Sequence, residues 1–206
     1  FFAAISEERI PSGFKRLVVA PTRLHHRLLQ LIEAETEAAR SGSTDSRIVA
    51  KVNALVDPVL IEKLYAASTA GVRVDLIVRG ACSLIPGVPG LSERIRVVSI
   101  VDRFLEHSRL YYFGSKRRMY LSSADWMPRN FFSRLEIAFP VLDPRIFSYI
   151  EEQILPIYLG DTEKARELTP QGTWRARPAR FGAPRIRAQF IFADSAANAY
   201  RGTAIE

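Results

Sequence analysis

The chain has 206 residues, of which 48% are hydrophobic and 25% are charged, with a formal net charge of +7. This balance is typical of a globular protein and excludes a disordered, collagen-like or coiled-coil chain. The length predicts one large domain, or one domain followed by a tail.

Membrane and export signals are not evident in the sequence. No apolar run approaches the roughly 20 residues that a spanning helix needs, so we expect neither a transmembrane helix nor a signal segment. Cys82 is the only cysteine, which excludes an internal disulfide and predicts a reducing, cytoplasmic compartment. The chain begins with Phe1 instead of methionine, so we expect it to be part of a longer protein.

The first third of the chain predicts a helix and then a βαβ unit. Apolar residues recur at helical spacing over 21–40, which indicates an amphipathic helix. Residues 47–55, 58–70 and 72–79 have the patterns of a strand, a helix and a strand. Such a unit has two parallel strands and places ligand-binding loops at their carboxyl ends, where Arg79 follows the second strand.

Further strands follow a loop rich in proline and glycine over residues 80–94. Alternating or β-branched patterns predict strands at 95–101, 108–113, 118–123 and 135–141, a helix at 144–155 and a weak terminal helix at 193–204. The sequence therefore predicts an α/β fold in which a mixed sheet of about six strands is flanked by helices.

Basic residues are concentrated near the carboxyl end. Residues 164–187 contain seven lysines and arginines against one glutamate, and Trp174 and Phe181 lie between them. Such a stretch can bind nucleic acid, polyphosphate or an acidic membrane surface. It can equally be a solvated, flexible arm, since three prolines interrupt regular structure. Charge alone leaves both interpretations open.

His107 is the histidine with the strongest chemical signal. His25 and His26 lie among arginines on the first helix, where a surface role is expected. His107 instead precedes a strand whose alternate residues, Arg109 and Tyr111, share its face. An imidazole beside a guanidinium suits phosphoryl chemistry, since the ring can act as nucleophile or acid and the cation can bind phosphate oxygens.

Other polar residues in strand patterns extend this hypothesis. Lys51 and Asn53 lie in an otherwise apolar strand, where they need partners or a ligand. Arg134 and Glu136 share one strand face, so we expect them to face the site while Leu135 and Phe139 face the core. The serines at 122–123 can bind an anion or simply form a turn. No glycine-rich phosphate loop is present, so side chains must hold any phosphate.

Several segments together resemble the C-terminal part of bacterial polyphosphate kinase, whose fold is similar to that of the phospholipase D superfamily. The resemblance covers about residues 14–187. The segments that carry it are RIVAKVNALVD (47–57), DLIVRG (75–80), IPGVPGLS (85–92), SIVDRFLEHSR (99–109) and YLSSADWMPRN (120–130).

The resemblance implies reversible transfer of the terminal phosphate of ATP to polyphosphate through a phosphohistidine. The family's active site has two similar halves, and this chain matches only the second, so the phosphorylated histidine belongs to the missing half. His107 corresponds to the second-half histidine, an acid/base partner that contacts nucleotide. Arg79 matches a nucleotide-phosphate arginine, and Arg134 matches one that lines the substrate channel.

The same resemblance leaves Arg109, Lys51 and Asn53 near the nucleotide and phosphate site with less defined roles. Arg109 replaces the lysine of the superfamily's H-x-K pattern, which favours transphosphorylation over lipid hydrolysis. The resemblance implies magnesium held by ligands outside this chain, a homo-oligomer, and a cytoplasmic location with peripheral membrane association. Residues 1–160 are then the phospholipase D-like domain and residues 161–206 a basic extension.

Two other functions remain open at this stage. One is a phospholipase D-like phosphodiesterase in which a dimer brings two copies of His107 together. The other is a module without enzymatic activity that binds RNA or DNA through the basic stretch and Trp174. The resemblance to polyphosphate kinase does not imply nucleic acid as a partner. We expect the isolated chain to have negligible kinase activity, because it lacks the half that carries the phosphorylated histidine.

Overall fold

The computed structural model describes residues 6–7, 13–177 and 184–203, and these form one mixed sheet with helices packed on both faces. The strands are β1 (Val18–Ala20), β2 (Arg47–Val52), β3 (Arg73–Val78), β4 (Ile95–Ile100), β5 (Arg109–Phe113), β6 (Arg118–Ser122), β7 (Glu136–Pro140), β8 (Ala165–Leu168) and β9 (Trp174–Ala176). The helices are α1 (Leu24–Arg40), α2 (Pro58–Thr69), α3 (Pro128–Phe132), α4 (Pro144–Tyr149), α5 (Leu155–Gly160) and α6 (Ala188–Thr203), and a π-helical segment, Ile150–Ile154, joins α4 to α5.

The predicted α/β class is confirmed, but the predicted number of about six strands is wrong because the sheet has nine. The six predicted strands correspond to β2 through β7. The three that sequence reasoning missed, β1, β8 and β9, have only three or four residues each. So short a strand shows too little alternation to be recognised, and β8 and β9 also lie within the basic stretch.

The strand order is β1-β7-β6-β5-β2-β3-β4-β8-β9. β2, β3 and β4 are parallel, which confirms the predicted βαβ unit, and the strands on either side of them pair antiparallel. The carboxyl ends of β2 and β3 therefore meet the amino end of β5 at one end of the sheet. The candidate site residues of the sequence analysis lie at this end of the sheet.

Two apolar layers cover the sheet. On one face, α1 and α2 pack their buried leucines and isoleucines against residues such as Ile48 and Val74. Asp57 caps α2 by accepting a hydrogen bond from the Leu60 backbone at 2.9 Å, which stabilises its first turn. On the other face, α4, the π-helical segment, α5 and α6 cover Val49 and Val98. Strand positions that alternate in sequence thus face opposite cores.

The structure overturns the predicted orientation of β7. Glu136 is buried, whereas Leu135 and Phe139 are 42% and 43% exposed, and Arg134 lies before the strand on the surface. The carboxylate of Glu136 is satisfied inside the protein by Ser123 and by Asn130. Those two partners explain why the charged residue faces inward.

The described part of the basic stretch packs against the sheet. β8 pairs antiparallel with β4, and Ala188 at the start of α6 is fully buried. Arg180 and Phe181 lie outside the described residues, and the predicted domain division at residue 160 stays a prediction. Of the helices described, none is both long and apolar enough to cross a membrane.

Candidate functional site

The predicted site residues lie along one end of the sheet. Asn53 follows β2, Arg79 follows β3, His107 precedes β5, and Arg134 precedes β7. Because β5 is antiparallel to β2, and β7 is antiparallel to β6, these strand ends coincide. Two strand steps separate β7, which Arg134 precedes, from β5, which His107 precedes.

Arg109 joins His107 to a buried carboxylate. Its Nε and Nη2 atoms donate hydrogen bonds to the two carboxylate oxygens of Asp125, at 3.2 and 2.8 Å. Its Nη1 atom donates to the backbone oxygen of His107 at 2.7 Å and lies 2.6 Å from the ring Nδ1. Arg109 Nη2 also lies 3.4 Å from the ring Nε2, so the guanidinium contacts both nitrogens of the imidazole and orients the ring.

Asn53 completes the environment of Asp125. The backbone N–H of Asn53 donates to Oδ1 of Asp125 at 2.6 Å, and its side-chain amide donates to the same oxygen at 3.2 Å. Burial by itself raises the pKa of Asp125, but the hydrogen bonds from Arg109 and Asn53 outweigh it and hold the pKa of this carboxyl below its usual value. Asp125 is therefore a fixed anion that orients two predicted site residues.

Lys51 occupies a separate buried position beside this cluster. Its Nζ atom lies 3.2 Å from Oε2 of Glu106 and donates to the Ser108 hydroxyl and backbone oxygens at 3.1 and 3.3 Å. It also lies 5.0 Å from the centre of the Tyr158 ring. Burial lowers the pKa of Lys51, and the charge of Glu106 opposes that change. Lys51 thus holds both residues that flank His107.

Arg79 and Arg134 leave their charged groups available. Arg79 is half-buried, its backbone oxygen accepts a hydrogen bond from Ser99 at 3.2 Å, and its charge contributes to lowering the pKa of Lys51. Among the described residues, neither guanidinium has a carboxylate partner. Arg134 is exposed and stands apart from the hydrogen-bonded cluster.

The loop that carries His107 is anchored by the start of α6. Arg187 donates to both oxygens of Asp102, at 2.8 and 2.7 Å, and these bonds hold the pKa of Asp102 below its usual value. Gln189 donates to the backbone oxygen of Phe104 at 2.8 Å and accepts from its backbone nitrogen at 2.7 Å. Part of the basic stretch therefore positions the site instead of forming a free arm.

The sequence analysis assigned no role to Asp125, Ser108 or Tyr158. In the structure, Glu106 pairs with Lys51, while His107 contacts Arg109. The serine hydroxyls at 122 and 123 bond to β7, which supports the turn interpretation. One feature of the sequence could have identified Asp125: it is a carboxylate that follows closely after the two serines at the end of β6.

The part of the chain that the structure describes does not form a metal site. No group of three His, Cys, Asp or Glu side chains in the described ranges could hold a metal ion. The two carboxylates beside His107 are already committed, Asp125 to Arg109 and Glu106 to Lys51. The expectation that magnesium binds through ligands outside this chain stays a prediction.

The strand order and the helices on both faces of the sheet define an α/β protein whose fold is similar to that of phospholipase D-like proteins. The chain is similar to the phospholipase D family member Nuc from Salmonella typhimurium, with a TM-score of 0.53 and 14% identity over 75% of this chain and 97% of Nuc. At that identity the similarity concerns the fold alone.

Closer relatives define the family. The family model described as "Polyphosphate kinase C-terminal domain 2" matches residues 17–189, and the chain belongs to this family. It is 47% identical over 187 residues to a polyphosphate kinase of Rhodopirellula baltica, which covers 89% of this chain and 22% of the relative. It is 52% identical over 160 residues to that of Paraburkholderia phytofirmans, covering 77% of this chain and 23% of the relative.

A solved structure agrees with these relatives. The crystal structure of polyphosphate kinase from Porphyromonas gingivalis matches with a TM-score of 0.88 and 37% identity, over 98% of this chain and 31% of that protein. The predicted resemblance to polyphosphate kinase is confirmed. The chain spans between a fifth and a third of the length of these relatives.

Proposed function

We propose that this chain is the part of a polyphosphate kinase that holds nucleotide and polyphosphate while the terminal phosphate of ATP is transferred reversibly to the polymer. The observation that carries the proposal is the Asp125–Arg109–His107 arrangement at the sheet end, together with Arg79, which has no carboxylate partner within the described ranges. Membership of the polyphosphate kinase family supports it.

The chemistry of phosphoryl transfer fits these residues. The transferred group needs little covalent help beyond a nucleophile, and it needs cations that neutralise the charge spread over its oxygens. In this proposal Arg79 binds nucleotide phosphates and Arg134 lines the path of the polymer. His107 acts as the acid/base partner of the phosphate groups, and Arg109, which contacts both ring nitrogens, orients it.

The nucleophile and the metal belong to the rest of the polypeptide in this proposal. The histidine that is phosphorylated lies on the preceding half, and magnesium, when bound there, neutralises phosphate charge. Residues Val101, Phe104 and Leu105, which precede His107, are 65%, 52% and 76% exposed. Apolar side chains this exposed beside a polar site are consistent with a neighbouring half that covers them. Oligomerisation, a cytoplasmic location and peripheral membrane association remain expectations for the full-length protein.

A binding titration tests the part of the proposal that this chain carries by itself. The chain is titrated calorimetrically with ADP, with polyphosphate and with a DNA oligomer of matched charge, each at two salt concentrations. We expect ADP and polyphosphate to bind more tightly than DNA, and we expect Arg79→Ala to weaken ADP binding at least tenfold. Arg94→Ala removes one positive charge just before β4, at the opposite end of the sheet, and serves as the control for loss of charge.

The outcomes separate the competing functions. Weak binding of all three polyanions that depends on salt but not on Arg79 would leave only a basic surface and contradict the proposal. Equal affinity for DNA and polyphosphate would favour the nucleic-acid module. Hydrolysis of a simple phosphodiester by a dimer of the chain would favour the phospholipase D-like activity.

A further inference from the structure

A second concentration of positive charge lies away from His107, in a cavity of about 510 Å³ between α1, the segment before β1, and β6. Five basic side chains line it: Lys15, Arg16, Arg23, His26 and Arg27. No carboxylate is among its lining residues, and it shares no lining residue with the cluster around His107. We call this the α1 cavity.

Among the residues that the structure describes, the cations of the α1 cavity lack the carboxylate partners that several other arginines of the fold have. Arg47, Arg96 and Arg187 each have a carboxylate oxygen within 3.1 Å. No carboxylate of the described ranges pairs with a basic side chain of the cavity. Several cations that converge without a counter-charge repel one another, and a bound anion relieves that repulsion.

Neutral groups hold one of these cations in place. Arg27 donates to the hydroxyl of Tyr120, a buried residue of β6, at 3.1 Å. The Gln30 side chain lies 3.0 Å from His26 Nε2 and accepts from Arg27 at 3.5 Å. Arg27 is therefore oriented across the gap between α1 and the sheet while its charge remains unneutralised.

The lining favours linked phosphate groups over a nucleobase. The two neutral polar side chains of the cavity, Gln30 and Tyr120, are already engaged with Arg27 and His26. The cavity thus offers little side-chain capacity to recognise base edges, but it offers several guanidiniums, which bind phosphate oxygens well.

We propose that the α1 cavity binds an oligophosphate, as a second holding site on the same chain. The choice of ligand rests on the proposed function, in which polyphosphate is a substrate. A polymer held here would be retained while its end reacts elsewhere, which raises its effective concentration at the reacting site.

Calorimetric titration of the chain with tripolyphosphate tests this proposal. The double variant Arg16→Gln/Arg23→Gln removes two exposed cations of the cavity. The double variant Arg94→Gln/Lys116→Gln removes two exposed cations elsewhere and gives the same net charge. We expect the cavity variant to lose at least tenfold in affinity for tripolyphosphate, and the control to stay within twofold of the parent chain.

Each alternative result overturns the proposal. Equal losses in both double variants would show that net charge alone attracts the anion. Absence of binding to the parent chain would exclude the site. An RNA oligomer of matched charge that binds as tightly as tripolyphosphate, with the same loss in the cavity variant, would assign the cavity to nucleic acid. Competition by ATP with tripolyphosphate at equal affinity would indicate a nucleotide site.

The experiments distinguish a wrong assignment of the α1 cavity from a wrong assignment of the catalytic function. ADP binding that depends on Arg79 is measured on the same preparations, and the cavity variant should retain it within twofold. Loss of the Arg79 effect with an intact cavity effect would contradict the catalytic proposal alone. The opposite pattern would contradict only the α1 cavity.

Discussion

Arg109 and Asp125 form a bidentate pair, with one hydrogen bond to each carboxylate oxygen, at 3.2 and 2.8 Å. The same guanidinium contacts the His107 ring, so Asp125 influences the orientation of the imidazole indirectly, through Arg109. The side chains of Arg109 and Asp125 are only 9% and 11% exposed. Removal of either partner leaves a buried group without its counterpart.

Asp125→Asn is expected to destabilise the chain by about 3 kcal/mol, because it leaves the buried guanidinium of Arg109 without a counter-charge. Urea unfolding of the variant and the parent chain measures this change. Asp143→Asn is the matched control, since Asp143 pairs with the exposed Arg145 and asparagine also caps helices. The control should change stability much less, because an exposed ion pair contributes little, and equal losses in the two variants would contradict the prediction.

The contribution of Asp125 should also depend on pH. Its pKa is below the ordinary value of 3.8 in the folded chain, so the unfolded chain binds this proton more readily. The stability that Asp125 provides is therefore present above pH 3.8 and is lost as the pH falls through the lowered folded pKa. The difference in unfolding free energy between the parent chain and Asp125→Asn should shrink below about pH 4. A difference that stays constant down to pH 2 would argue against this ionisation.

Arg187→Gln should loosen the loop before His107, because Arg187 holds both oxygens of Asp102. Amide hydrogen exchange over residues 101–107 is expected to rise at least tenfold. Arg185→Gln provides the comparison, because Arg185 is 80% exposed and pairs only with Glu163 at 3.3 Å. If exchange in this loop were the same in the two variants, the anchoring role of Arg187 would be wrong.

Gly80→Ala should disturb the site through the backbone. A Cβ atom at Gly80 would lie 2.9 Å from the backbone oxygen of Asn53, which already accepts the Gly80 N–H at 2.8 Å. Two loops must therefore separate, at a cost of about 2 kcal/mol. We expect lower thermal stability together with weaker ADP binding. Gly160→Ala, whose nearest contact is the flexible end of Ile186 at 3.3 Å, should cost less, and the reverse order would contradict this argument.

A chimera tests the role of His107 in turnover. This chain replaces the corresponding segment of the Rhodopirellula baltica polyphosphate kinase, with which it shares 47% identity. We expect the chimera to transfer phosphate from ATP to polyphosphate, and His107→Ala to reduce the rate at least about 100-fold. Lys116→Gln, an exposed substitution in the turn between β5 and β6, should leave the rate unchanged. Full activity of His107→Ala would contradict the proposed acid/base role.

The sequence was informative where the relevant signal is local. The parallel unit of β2, α2 and β3 followed from the strand and helix patterns of consecutive segments, and the pairing of His107 with Arg109 followed from alternation along one strand. Asp125 could not be assigned in this way, because its partners Asn53 and Arg109 lie 72 and 16 residues away. Only the strand order of the folded sheet brings them together.

The orientation of β7 shows a different limit of sequence patterns. Alternation identifies two faces of a strand but does not say which one is buried. Glu136 faces inward because Ser123 and Asn130 satisfy its carboxylate, and both lie on other elements. The functional roles of Arg134 and of the other predicted site residues remain predictions that the binding and turnover experiments address.

The two outermost strands, β1 and β9, have three residues each. Each therefore presents only a few unpaired backbone groups to another molecule, and a strand from a second chain would gain few hydrogen bonds by joining the sheet there. We therefore expect self-association of the isolated chain through extension of the sheet to be weak. Its aggregation at high concentration should instead respond to polar substitutions at exposed apolar side chains such as Leu105 and Leu142, which are 76% and 59% exposed.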